Sequence, residues 1–197
     1  MKFEEIYEEF QPKILNYLAR LVGPNEAEDL AQVVFAKVSR GLAGFKGQSK
    51  LSTWIYRIAT NTAIDKLRSP AHGHASVQNP LEGAAGIANN ASKFTQSETP
   101  IDQKVIRKEM SECVREYVDR LPPDHRTVLV LSQLEGFKNR EIADILQITL
   151  ENVKVRLHRA RARLKQELND GCDFYHNEEG TLACDRKRIL IESKKPD

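Results

Sequence analysis

Apolar side chains recur at helical spacing along most of the chain. Phe3, Ile6, Tyr7 and Phe10 form a first stripe, and Ile14, Leu15, Leu18, Leu21 and Val22 prolong it as far as Gly23-Pro24. Pro12 has no N–H to donate, so a bend or a restart is expected there. Asn25 is the expected N-cap of a second helix from Glu26 to about Arg40, with Glu26, Glu28 and Asp29 in the first turn, where the helix dipole favours negative charge. Gly41 is expected to close it, leaving a glycine-punctuated basic loop, 41–50. Leu51, Trp54, Ile55, Ile58 and Thr62 then mark the buried side of a third helix that runs to Arg68. That spacing makes Trp54 a core residue and leaves Tyr56 as the exposed aromatic.

From Ser69 to Pro100 the pattern stops. Gly, Ala, Ser, Asn and Pro dominate, and only Glu82, Lys93 and Glu98 carry full charge. Such a stretch buries too little apolar surface to offset its ordering entropy, so 69–100 reads as a flexible linker in which Ile87 and Phe94 could dock locally. His72 and His74 lie in it and do not make a metal site by themselves. Thr99-Pro100 opens a further helix to about Arg120, Pro122-Pro123 breaks it, and Asp124 caps the next, which Gly136 ends. Cys113 falls in mid-helix, where a buried apolar thiol is the expected role.

Two helices follow, Asn139–Leu146 and Leu150–Leu168, separated by Gln147-Ile148-Thr149. Thr149 is the expected N-cap of the second. Val153, Leu157, Ala160, Leu164 and Leu168 face a core. Glu151, Asn152, Val155, Arg159 and Ala162 lie opposite, flanked by Lys154, Arg156, Arg161, Arg163 and Lys165. Small and polar residues at the outward N-terminus can reach base edges in a major groove, and the later cations fall near phosphates. This is a helix-turn-helix, and the predicted class is all-α: two small helical domains joined by a flexible linker, with a short β-hairpin in the tail. The expected boundaries are 1–68, 69–100, 101–169 and 170–197.

A net charge of +2 says little until it is mapped. Residues 1–29 hold seven acidic and three basic side chains, whereas 37–68 hold seven basic ones and the single acid Asp65. With the helix-turn-helix as a second basic block, this predicts two contacts with a polyanion and a different partner for the N-terminal helices. No apolar run is long enough to span a bilayer, the N-terminus lacks a secretion-signal pattern, and three cysteines do not make a disulfide scaffold. The expected location is the cytoplasm. No glycine-rich phosphate loop, Ser-His-Asp set or paired metal-binding histidines appear, so no enzyme is predicted.

The order of these parts resembles the bacterial extracytoplasmic-function sigma factors, the smallest members of the sigma-70 family. Glu28-Asp29-Leu30-Ala31-Gln32-Val33-Val34-Phe35 looks like their polymerase-binding helix. Phe45-Lys46-Gly47, followed by Thr53-Trp54-Ile55-Tyr56-Arg57-Ile58-Ala59-Thr60-Asn61, is similar to the segment that opens and reads the −10 promoter element. Leu121-Pro122-Pro123, Glu141-Ile142-Ala143 and Val153–Arg161 resemble the domain that reads the −35 element. The chain departs from the family pattern at Val33, at Gln147 (usually a turn glycine) and at Val155 (usually a small hydroxyl residue). Val155 could instead touch a thymine methyl.

The resemblance implies a promoter-specificity subunit of RNA polymerase, responding to an environmental or envelope stress. Its partners would be the core enzyme (the β′ clamp helices and the β subunit), promoter DNA as duplex and as melted non-template strand, and an anti-sigma factor. Asp29, Gln32 and Phe35 would touch the clamp helices, although Phe35 also reads as core. Opening a promoter calls for cations, a loop that wraps a flipped base and polar groups on the adjoining helix. Lys46, Gln48, Ser49 and Lys50 supply the loop; Tyr56, Arg57, Asn61, Thr62, Asp65 and Arg68 supply the helix. Thr149, Glu151, Asn152, Lys154, Val155, Arg156, His158, Arg159 and Arg161 would read the −35 element. A stand-alone helix-turn-helix repressor or activator is the alternative, but it has no need of the 37–68 block.

The tail lies beyond the resemblance. Cys172, His176 and Cys184, at C-x3-H-x7-C spacing, flank the turn-like Asn177-Glu178-Glu179-Gly180. A β-hairpin would bring Cys172 and Cys184 near each other across the strands. No cofactor is required for promoter recognition, but these three residues could hold zinc or copper, with Cys113 or a carboxylate as a fourth ligand. A redox-responsive thiol pair and an inert hairpin are the other readings. The tail is expected to adjust activity by packing against the second domain.

Overall fold

The computed structural model describes residues 2–69, 110, 112–177 and 180–187. Among the described residues the helices are α1 (Phe3–Val22), α2 (Pro24–Leu42), α3 (Leu51–Arg68), α4 (112–119), α5 (Pro123–Gln133), α6 (Asn139–Leu146) and α7 (Leu150–Gly171). A hairpin of β1 (Cys172–His176) and β2 (Leu182–Arg186) follows. The predicted linker beyond Ser69, with His72, His74, Ile87 and Phe94, and the expected Thr99-Pro100 start of α4 lie outside the described residues.

Several helix ends differ from expectation, each for a local reason. Pro12 sits inside a continuous α1. Gly23, at φ 94°, takes the N-cap of α2, and Pro24 occupies its first turn, where a missing N–H costs nothing; Asn25 is therefore inside the helix. Pro122 likewise precedes Pro123, so Asp124 lies in the first turn of α5 and not at its cap. Gly41 does not stop α2, which runs on to Leu42; a Cβ there would come within 2.9 Å of the Trp54 indole, so the glycine lets the ring lie close.

The chain divides into two compact units, Met1–Asn89 with Pro122–Arg161, and Asn90–Leu121 with Ala162–Asp197. In the first, Ile6, Ile14, Leu18 and Leu21 of α1 are buried, as are Val34 and Val38 of α2 and Ile55, Ala59 and Ala63 of α3. The Tyr17 and Thr60 hydroxyls are hydrogen-bonded at 2.7 Å inside this core, and burial drives the Tyr17 pKa far up. The same unit contains α5, α6 and the start of α7, whose Val128, Leu131, Ile142, Ile145, Val153 and Leu157 are buried. Arg126 donates to the Leu21 carbonyl at 3.1 Å, satisfying an acceptor in the last turn of α1 where a cation is favoured.

In the second unit, Cys113, Tyr117 and Cys172 are buried together, with Leu164, Leu168 and Cys184 packed on them. The antiparallel register pairs Cys172 with Arg186, Phe174 with Cys184 and His176 with Leu182. Its turn is closed by Gly180 N–H to Asn177 O at 2.9 Å and Thr181 N–H to Asn177 Oδ1 at 2.8 Å. Gly180 supplies the left-handed residue at φ 73°.

Candidate nucleic-acid interface

The helix-turn-helix forms as its pattern predicts. Glu141 accepts the Lys138 N–H at 2.9 Å at the start of α6, and the Thr149 hydroxyl caps α7 by accepting the Asn152 N–H at 3.2 Å. Gln147 takes up the left-handed conformation at φ 54° and ψ 43°, which glycine adopts more easily. Val153, Leu157 and Ala160 are buried; Thr149, Glu151, Asn152, Lys154, Val155, His158, Arg159 and Arg161 are exposed. Val155 is an apolar side chain 45% exposed in this otherwise polar row, as a thymine-methyl contact would need. Arg156 is half-buried and paired with Asp124 at 3.3 Å.

The second basic surface is only partly open. Lys46, Gln48, Lys50, Asn61, Asp65 and Arg68 are exposed, while Ser49 and Arg57 are intermediate. Tyr56, expected to be the exposed aromatic, is buried: its ring meets Phe137 edge-on at 4.7 Å, and its hydroxyl donates to Glu135 at 2.6 Å. Thr62 is buried too, accepting from Lys37 at 2.9 Å and donating to the Ile58 carbonyl at 2.8 Å, so its hydroxyl is not offered to a base. Trp54 is partly buried, with its indole 5.1 Å from the Phe45 ring.

Glu135 is the residue that sequence reasoning missed. It lies in a short turn with no motif to mark it, yet it receives both Tyr56 and Arg20, the latter at 3.5 Å. Burial raises its carboxyl pKa, and the Tyr56 hydrogen bond and the Arg20 charge oppose that. Lys50 is likewise engaged, by Glu141 at 2.7 Å; that hydrogen bond, with the Lys138 N–H, lowers the Glu141 pKa.

On α2, Asp29, Gln32 and Val33 are exposed. Phe35 is buried edge-on against Tyr7 at 4.8 Å, which favours its core role. Tyr7, Gln32 and Phe35 share the lining of a groove of about 540 Å³ between α1 and α2 with Phe3, Leu15 and Glu28.

In the tail, the predicted grouping of Cys172, His176 and Cys184 needs correction. His176 is exposed at the far end of β1, opposite Leu182, two residues along the strand from the Phe174–Cys184 pair. The group that forms among the described residues is Cys113, Cys172 and Cys184.

Comparison with known proteins matches both basic regions. Residues 6–72 fit the sigma-70 region 2 family and residues 111–164 fit sigma-70 region 4. The chain is 32% identical over 169 residues to the ECF RNA polymerase sigma factor SigW of Bacillus subtilis strain 168, covering 85% of this chain and 89% of that one. It is 35% identical over 166 residues to the RNA polymerase sigma factor YlaC of the same organism, covering 84% and 91%. Among solved structures, the fold is similar to the sigma factor RpoE of Bartonella quintana in complex with the anti-sigma factor NepR. That match has a TM-score of 0.61 and 20% identity, and covers 85% of this chain and 96% of that one.

Proposed function

The chain belongs to the extracytoplasmic-function sigma factors of the sigma-70 family, and we propose from this how its surfaces divide the work of an RNA polymerase sigma factor. The observation that carries the reading is the pairing of an exposed recognition helix with a separate basic loop and helix in one chain. Residues 101–169 read the −35 element as duplex. Thr149, Glu151, Asn152, Val155, His158 and Arg159 face bases, while Lys154, Arg156 and Arg161 hold phosphates. Residues 1–68 take the −10 element as it opens. Lys46, Gln48, Ser49 and Lys50 wrap a flipped base, Arg57 and Arg68 hold the strand, and Asn61 and Asp65 offer polar groups. Asp29 and Gln32 contact the β′ clamp helices of the core enzyme. Promoter recognition in this scheme uses no cofactor.

The two readings cannot be made together while α3 is packed on the helix-turn-helix. Elements about 25 base pairs apart lie about 85 Å apart along B-form DNA, at about 3.4 Å per pair. Lys50 and Tyr56, held by Glu141 and Glu135 in the packed arrangement, must let go before they reach the melted strand. We take the packed arrangement as the resting form, opened by core polymerase and promoter and held shut by an anti-sigma partner. The RpoE neighbour was solved in complex with an anti-sigma factor, which supports a partner of that kind here.

Run-off transcription with purified core polymerase on a promoter library tests the assignment. Selective initiation from a shared −35/−10 pair is expected. A core enzyme that initiates no more selectively with the protein than without it would overturn the assignment. A stand-alone repressor would instead bind duplex DNA without core enzyme and leave initiation unselective.

A further inference from the structure

Three thiols from three elements meet in the second unit. Cys113 comes from α4, Cys172 opens β1 and Cys184 lies within β2, and their sulfurs are all within 4.8 Å of one another. Opposite residues of an antiparallel pair share a face, so Cys172 and Cys184 are diagonal neighbours on one side of the hairpin. Cys113 reaches that side from α4, with 3.8 Å between its sulfur and that of Cys172. Cys113 and Cys172 are buried, Cys184 is half-buried, and all three are free thiols.

A plain hydrophobic reading accounts for one such residue, not for three converging sulfurs. Thiolates bound tetrahedrally to zinc at about 2.3 Å are necessarily about 3.8 Å from each other. A disulfide needs about 2.05 Å between two sulfurs and would leave the third idle. Charge points the same way. Three thiolates around a dication leave one net negative charge, which the partly buried site itself must carry because the nearby Arg186 guanidinium is already matched by Glu116 at 2.8 Å. A monovalent ion would leave two. The Tyr117 hydroxyl, 3.5 Å from the Cys172 sulfur, lines the same site.

We propose that Cys113, Cys172 and Cys184 form a three-thiolate site for a thiophilic divalent cation, zinc being the one whose size and charge the trio fits. The half-buried Cys184 leaves the fourth position to solvent or an exogenous ligand. Binding ties α4 to the hairpin and to Leu164 and Leu168 in the last turns of α7, so metal occupancy stiffens the end of the helix whose beginning reads DNA. Each thiol gives up its proton to the solvent as it becomes a ligand. Affinity must therefore rise with pH through the neutral range.

The test uses the full-length reduced protein, stripped with chelator and titrated with cobalt(II), then zinc(II), with copper(I) in a parallel competition arm. One equivalent of cobalt should bind with an intense near-ultraviolet sulfur-to-metal band, and zinc should displace it. Cys113→Ser, Cys172→Ser and Cys184→Ser should each weaken zinc binding more than about 100-fold, beyond the 10–100-fold cost of outer-shell changes. His176→Ala should bind as the parent does. Because the buried cysteine variants could unfold the unit, Cys184→Ser with its circular dichroism and zinc-edge X-ray absorption of the parent provide a second measure, with three sulfur ligands expected. Weaker than micromolar zinc affinity would overturn the proposal. So would undiminished binding by Cys184→Ser, preference for copper(I), or oxidation that consumes two thiols without metal uptake. None of these readouts depends on transcription, so the site and the sigma-factor roles can fail separately.

Discussion

Gln147 shows how a single residue can carry the strain of a motif. Its φ of 54° brings its Cβ near the carbonyl that follows, and its Nε2 bond to the Asp144 carbonyl at 2.7 Å offsets part of the crowding. Gln147→Gly should stabilise the protein by up to about 1 kcal/mol, seen as a higher urea midpoint at unchanged slope. A lower midpoint would mean that the side-chain bond outweighs the strain. Gly171 presents the opposite case, since a Cβ there would run into the Tyr117 hydroxyl. Gly171→Ala should cost about 1–3 kcal/mol, as overpacking does. Adding Tyr117→Phe should recover part of that loss in a thermal-melting cycle, because the two sites touch.

Within α7, side chains two residues apart have separable tasks. If Asn152 faces a base, Asn152→Ala should lose about 1–3 kcal/mol of binding at one base pair and relax preference there. If Lys154 faces a phosphate, Lys154→Ala should weaken binding alike on all sequences and flatten the salt dependence by about one ion. Both are measured by promoter titration of the polymerase complex at several salt concentrations, and equal sequence profiles for the two variants would contradict the division. The turn before α6 has its own signature through Glu135. Its raised pKa means that folding favours the protonated form, so this group's contribution is present at low pH and declines as pH rises from the ordinary carboxylate range through the raised value. Glu135→Gln should therefore gain on the parent, in denaturation midpoints, as pH rises above the ordinary carboxylate range.

For the chain as a whole, the packing of α3 on the helix-turn-helix taxes DNA binding by the fraction of molecules that are open. The Lys50–Glu141 pair is exposed on the lysine side and is worth at most about 1 kcal/mol. Glu141→Gln keeps an acceptor for the Lys138 N–H but drops the charge. It should raise promoter-dependent initiation at limiting protein by up to about fivefold, the equivalent of about 1 kcal/mol. Fluorescence transfer between dyes on α3 and α7 should fall when core polymerase and promoter are added. Constant transfer through initiation would mean that the packed form is not a resting state.

Much of this was determined by local order along the chain. A helix period of 3.6, a hydroxyl cap at Thr149, a three-residue turn and the clustering of cations all act over a few residues, so the helix-turn-helix and the hairpin turn could be read without coordinates. Burial of Tyr56 could not be read, because α3 has apolar or hydroxyl residues on more than one flank, and the flank that is covered depends on Phe137 and Glu135, the latter 79 positions away. Thr62 was lost to Lys37 in the same way. The thiol site turned on Cys113, 59 residues from Cys172, while His176, close in sequence, was carried off along the strand by register. Periodicity specifies which residues share a face; only tertiary packing specifies what that face meets.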